Sequence, residues 1–242
     1  MRDRVIVALD QADASSALDC ARSLVGHARW MKVGMTLYCA EGPSVVATIR
    51  ELGLEVFVDL KLHDIPNQVE GAARALGRLE VGMLTVHASG GAAMVRAAAK
   101  GAREGAAEAG ARKPSVLAVT VLTSLDDAAL RAIGFDRTPA EQVKRIAVLA
   151  AEAGADGVVC SPGEAAAMRA LLGPDALIVT PGVRPEGASR EDQARTATPA
   201  AALAAGATHL VIGRPVTGAL DVAEAFERSV ESVGSDGSEA RR

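Results

Sequence analysis

Short runs of β-branched and aliphatic residues recur along the whole chain, and each is followed by an Ala-rich stretch of helical spacing. The runs predict strands at Arg4–Asp10, Arg29–Gly34, Glu55–Lys61, Met83–Ser89, Ser115–Thr123, Gly157–Ser161, Leu177–Val183 and Thr208–Arg214. Helices are predicted near 14–26, 36–53, 65–80, 90–110, 139–154, 163–172, 198–206 and 219–231. Strands and helices alternating eight times over give the pattern of a closed parallel α/β barrel, the (β/α)8 TIM barrel, as a single domain over residues 1–233. An open doubly wound sheet is the competing arrangement. Asp10, however, is followed by Gln-Ala-Asp-Ala and not by a Gly-rich dinucleotide turn, and this many units in 242 residues favour closure. Residues 234–242 are Gly, Ser and charge without apolar periodicity, which predicts a disordered C-terminal tail.

Composition narrows the partners. Aromatic residues make up only 2% of the chain, so the core must be built from Ala, Val, Leu and Ile. A net charge of −4 argues against nucleic-acid and anionic-membrane surfaces, which call for a basic patch, but leaves room for an anionic ligand held by a few local cations. Cys20, Cys39 and Cys160 are odd in number and lack C-x-x-C pairing, as expected of reduced thiols in a cytoplasmic protein. Charge interrupts the first residues too early for a signal peptide, and no apolar run approaches the length of a membrane span.

In a barrel of this kind the active site sits at the C-terminal ends of the strands. The third strand reads Glu55-Val-Phe-Val-Asp-Leu-Lys61. Period-2 alternation sends Val56, Val58 and Leu60 to the helices and leaves Asp59 and Lys61 at the barrel mouth, roughly 6.6 Å apart at Cα. By the same logic Asp10 ends strand one and Lys32 lies on strand two. Any one of these residues is as well explained by a structural ion pair. Two lysines and two aspartates converging on one face are harder to explain by stability, because withdrawing charges from water costs several kcal/mol, of order, unless their geometry is good. Strand eight ends in Gly213-Arg-Pro215, where Gly213 permits close backbone approach and Arg214 offers a planar fork of donors suited to phosphate. The loop after strand seven, residues 181–193, has the composition of a lid over an anionic group; taken alone, it would be read as a solvated surface loop.

The segment Asp59-Leu-Lys-Leu-His-Asp-Ile-Pro-Asn67 resembles the signature of the orotidine 5′-phosphate decarboxylase family, D-x-K-x-x-D followed by I-P-N. Further blocks in family order span nearly the whole chain: Ala8-Leu-Asp10, Lys32-Val-Gly34, Thr120-Val-Leu-Thr-Ser124, Pro181-Gly-Val-Arg-Pro185, Asp192-Gln193, Thr198-Pro199 and Gly213-Arg-Pro215. As a set they are specific, whereas D-x-K-x-x-D alone also resembles sugar-phosphate decarboxylases and synthases of the wider barrel group. The resemblance implies decarboxylation of orotidine 5′-phosphate without cofactor or metal. Lys61 would be the proton donor to C6 of the pyrimidine, and Lys32, Asp59, Lys61 and Asp64 would form an alternating charge array. It also implies a homodimer in which Asp64 reaches the partner's site. Asp10 and Lys32 would hold ribose hydroxyls, and Thr123 the pyrimidine edge. Gln193 and Arg214 would grip the phosphate, with Arg184 and the Gly213 backbone. The residue after I-P-N is usually Thr in that family, and here it is Gln68.

Decarboxylation at C6 leaves an electron pair in the ring plane, beyond reach of the π-system. No pyridoxal, thiamine or metal motif is present as an electron sink, so fixed charges must carry the stabilisation. His27, His63, His87 and His209 are scattered without metal-ligand spacing. Two rival readings share the fold. A metal-dependent sugar-phosphate lyase would need extra carboxylates at strand ends, and strand four offers Thr-Val-His-Ala-Ser instead. A catalytically silent barrel acting as a phosphometabolite binder or assembly partner would have no use for the intact Lys32, Asp59, Lys61 and Asp64 set.

Overall fold

The computed structural model describes residues 1–183 and 197–234. Eight parallel strands close a barrel in sequence order, with β1 pairing both β2 and β8. The strands are β1 Val5–Leu9, β2 Trp30–Gly34, β3 Glu55–Leu62, β4 Met83–His87, β5 Ser115–Val119, β6 Gly157–Val159, β7 Leu177–Pro181 and β8 His209–Ile212. The helices between and after them are α1 Ala14–Ser23, α2 Met35–Glu41, α3 Ser44–Glu51, α4 Pro66–Arg78, α5 Gly91–Glu108, α6 Asp127–Ala132, α7 Pro139–Glu152, α8 Ala165–Leu172, α9 Pro199–Ala204, α10 Arg214–Thr217 and α11 Val222–Gly234. All eight predicted strands and all eight predicted helical regions are found. The predicted helix over 36–53 is two helices, because Gly42 turns the chain at φ 68° and Pro43 brings no N–H to continue the ladder. The short helices α6 and α10 were not predicted; an Asp126 carboxylate accepting the Ala129 N–H starts α6. α11 runs through Gly234, the first residue of the expected tail, and the rest of that tail lies outside the described residues.

Alternation along the strands builds two cores. Val5, Val7, Leu9, Met31, Val33, Val56, Val58, Leu84 and Val86 pack outward beneath the helices. Ile6, Ala8, Trp30, Phe57, Met83, Leu117, Val179 and Val211 fill the barrel interior. The chain's one Trp and one of its three Phe are therefore spent on plugging the barrel, while Ala and Val serve the helix–sheet contacts.

The tightest helix contact is α4 against α5. A Cβ on Gly101 would run into the carbonyl oxygen of Glu70, and one on Gly105 into that of Arg74. Beside this glycine seam run three ion pairs at constant offset, Lys100–Glu70, Arg74–Glu104 and Arg78–Glu108. Sliding α5 by one turn would oppose Glu70 to Glu104 or Arg74 to Lys100, so the observed register is the one in which all three charges are matched. α4 follows directly on β3, so this contact also anchors the strand that carries Asp59 and Lys61.

At the closed end His209 meets Trp30 edge to face, with ring centroids 6.1 Å apart. Burial, with Arg4 and Arg29 nearby and Asp3 opposing, pushes its pKa down to about 4.

Gly105→Ala gains about 1 kcal/mol of helix propensity but meets a backbone oxygen that cannot swing away, and overpacking costs about 1–3 kcal/mol. A lower thermal midpoint is expected, whereas Gly71→Ala, with nothing within 4 Å, should raise it. Because the folded state holds His209 neutral, the unfolded chain takes up its proton first, from the ordinary pKa of 6.5 downward. Stability from this group is therefore full above about pH 6.5 and lost as pH falls toward 4. The difference in urea midpoint between the wild type and His209→Phe should shift against the wild type across that window.

Candidate active site

The barrel interior changes character toward the C-terminal ends of the strands. Two residues beyond Ile6, Trp30, Phe57 and Met83 on the same inward face stand Ala8, Lys32, Asp59 and Thr85. The apolar plug is thus the floor of a polar pocket. Lys32 Nζ lies 3.1 Å from Asp10 Oδ1 and 3.7 Å from Asp59 Oδ2, and the same Asp59 oxygen is 2.9 Å from Lys61 Nζ. Charges alternate along this chain as Asp10, Lys32, Asp59, Lys61. Its inner members are withdrawn from water, with the Lys32 and Asp59 side chains 10% and 13% exposed, while Lys61 is 31% and Asp10 62% exposed. Gly34 leaves room for the Lys32–Asp10 pair, since a Cβ there would sit 3.0 Å from Lys32 Nζ and 3.4 Å from Asp10 Oδ1.

Local backbone sets the reach of Lys61. β3 and β4 pair in register as far as Val58 with Leu84, and pairing resumes at Leu62 with Val86, so three residues of β3 oppose Thr85 alone. Lys61 lies inside this bulge at φ 51°, a left-handed conformation uncommon for a residue with a side chain. The Thr85 hydroxyl accepts the Lys61 N–H at 2.8 Å and donates to Asp59 Oδ1 at 3.0 Å. Sequence reading passed over Thr85. Its signal was there, a hydroxyl at an inward position of an otherwise apolar strand.

A cavity of about 240 Å³ opens over these groups. It is lined by Asp10, Lys32 and Asp59 and, from the ends of β7 and β8, by Gly182, Gly213 and Arg214. The Gly213–Arg214 end thus shares one pocket with Lys32 and Asp59 of the predicted array, while Lys61 joins it through Asp59 and is not among the lining residues. Thr123 is half-buried in the turn after β5 and is not among the lining residues. Asp64 sits on the exposed segment 63–68, where its Oδ1 accepts the Ile65 N–H at 2.6 Å; among the described residues of the single chain it makes no ion pair with the array. Arg184 and Gln193 lie outside the described residues.

A second cavity, of about 260 Å³, is lined largely by apolar side chains, including Leu122, Leu130 and Phe135, with His63 and His87 at its edge. The two imidazoles are 5.2 Å apart. Burial, and then His63 and Lys61 beside it, hold His87 below its ordinary pKa, with Asp59 opposing. His87 is therefore neutral at neutral pH. Among the described residues no three His, Cys, Asp or Glu side chains are grouped so as to hold a metal ion, and no helix is long and apolar enough to cross a membrane.

Fold and pocket together define a class, a (β/α)8-barrel protein whose charged groups are gathered at the carboxyl ends of its strands. The chain belongs to the Orotidine 5′-phosphate decarboxylase / HUMPS family, whose model matches residues 3–229. It is 52% identical over 236 residues to the orotidine 5′-phosphate decarboxylase of Moorella thermoacetica, covering 96% of this chain and 94% of that protein. It is 49% identical to that of Paramagnetospirillum magneticum, covering 97% and 100%. Among solved structures, the orotidine 5′-phosphate decarboxylase of Lactobacillus acidophilus superposes with a TM-score of 0.86 at 38% identity, covering 96% of this chain and 99% of that one.

The inner ion pair should be measurable as stability. Asp59→Asn keeps the shape but leaves two ammonium groups facing one amide, which is expected to cost about 3 kcal/mol in urea unfolding. Asp10→Asn, at the exposed end, is expected to cost less than about 1 kcal/mol. Equal effects from the two substitutions would contradict this division into inner and outer charges.

Proposed function

We propose that this chain decarboxylates orotidine 5′-phosphate to uridine 5′-phosphate and carbon dioxide, with Lys61 as the proton donor and without cofactor or metal. The observation that carries this reading is the unbroken alternation Asp10–Lys32–Asp59–Lys61, of which Asp10, Lys32 and Asp59 line a pocket that also holds Gly213 and Arg214. Membership of the family supports the same substrate.

The chemistry can be followed bond by bond. When the bond from C6 to the carboxylate breaks, carbon dioxide leaves and its electron pair stays at C6, in the ring plane. An ammonium fixed beside that carbon lowers the energy of the developing charge, and its orientation is set before the reaction begins. The Lys61 ammonium then gives its proton to C6 and recovers one from solvent. Asp59 holds the Lys61 ammonium in place, and Lys32 on the same carboxylate oxygen keeps Asp59 from swinging away. In this reading Asp10 and Lys32 take ribose hydroxyls and Thr123 the pyrimidine edge. Arg214, Gly213, Arg184 and Gln193 take the phosphate. Binding energy from that distant group contributes to ordering the reacting end.

Two copies would complete each site, with Asp64 of one chain entering the pocket of the other. The exposure of segment 63–68 in the single chain, with Ile65 63% exposed beside Asp64, supports a partner surface there. Free Cys20, Cys39 and Cys160 are compatible with the reducing cytoplasm we assign to it.

The test is an ultraviolet assay for loss of orotidine 5′-phosphate by the purified chain, with and without chelator. Turnover indifferent to chelation is expected, with a fall of at least about 10²-fold in Lys61→Ala. No turnover, or turnover abolished by chelation, would overturn the proposal, the latter in favour of a metal-dependent sugar-phosphate lyase. Mixing inactive Lys61→Ala with inactive Asp64→Ala should restore activity through hybrids holding one intact site. Absence of recovery after confirmed subunit exchange would remove Asp64 from the partner's pocket.

A further inference from the structure

We propose that Thr85 is a positioning residue for the decarboxylation, its single hydroxyl fixing both the carboxylate of Asp59 and the backbone from which Lys61 reaches it. The inference rests on the decarboxylase reading and adds to it a residue that the signature does not contain.

Thr85 is 1% exposed and is the one β4 residue facing the three-residue bulge of β3. In a regular ladder the Lys61 N–H would find a carbonyl of the neighbouring strand. The bulge removes that partner, and the side chain of Thr85 replaces it at 2.8 Å. A hydroxyl has one proton and two lone pairs, so accepting from Lys61 leaves its own proton free for Asp59 Oδ1, which receives it at 3.0 Å. That bond fixes the rotation of the carboxylate and leaves the other oxygen, Oδ2, to the two ammonium groups. One buried atom thus sets the left-handed turn at Lys61 and the direction of the charge that holds Lys61 Nζ. Apolar packing alone would be met as well by Val, which has the same shape and neither hydrogen bond.

The test uses Thr85→Val, Thr85→Ala and Thr85→Ser in the full chain, with kcat and KM for orotidine 5′-phosphate and thermal midpoint measured for each. For Val and Ala, kcat should fall by roughly 10- to 100-fold with KM within about threefold, as for misplacement of reacting groups and not for lost binding. The Ser variant keeps the hydroxyl and should stay within about threefold of the wild-type kcat. If Thr85→Val fails to fold, the Ala and Ser pair decides by the same criterion. A kcat for Val and Ala within about twofold of wild type, or a Ser variant as slow as Ala, would overturn the proposal. The wild-type arm separates the two levels: an inactive wild type overturns the decarboxylase reading and this role with it, whereas an active wild type with undisturbed variants overturns the role of Thr85 alone.

Discussion

The pocket depends on how the Asp59 carboxylate is shared. One oxygen faces the ammonium groups of Lys32 and Lys61, and the other takes the hydroxyl of Thr85. Lys32 and Asp59 are almost out of water, where an unpaired charge is costly and a paired one with its hydrogen bonds made is tolerable. Each member is therefore admitted by its neighbours. Asp10 at the rim neutralises the far side of Lys32, and Lys61 supplies the second cation that Asp59 can hold. Such an arrangement is a poor way to gain stability and a good way to have charges oriented in advance of a reaction.

The barrel beneath serves this arrangement in a direct sense. Large side chains, Trp30, Phe57 and Met83, fill the interior one layer below Lys32, Asp59 and Thr85, so the pocket has a dry and rigid floor. Outside, the glycine seam between α4 and α5 brings two backbones close, and the flanking ion pairs favour the register in which all three are made. Since α4 begins four residues after β3 ends, a slip there would move the loop bearing Asp64 and Ile65.

Much of this was legible in the chain. The strand at 55–62 announces itself by Val56, Val58 and Leu60 on one face and Asp59 and Lys61 on the other, and the structure keeps that division. Lys32 is found inside and joined to both aspartates, as its place on strand two implied. The boundaries were less secure. The sequence pattern extends strand five through Thr123 but the strand ends at Val119, because the apolar run continues into a turn that lines the second cavity. The helix predicted over 36–53 runs across Gly42–Pro43, although those two residues are themselves a stop signal.

What the sequence determined alone was periodicity and chemistry: which residues face inward, which strand ends carry charge, and a signature whose spacing defines the family. These are local properties, fixed by a two-residue repeat and by residue identity. Only the tertiary structure decided that three residues of β3 would oppose one of β4, that Lys61 would turn left-handed, and that Thr85 would answer for both the N–H and the carboxylate. Such features arise from the register between strands more than twenty residues apart in the chain, and no residue carries that register by itself.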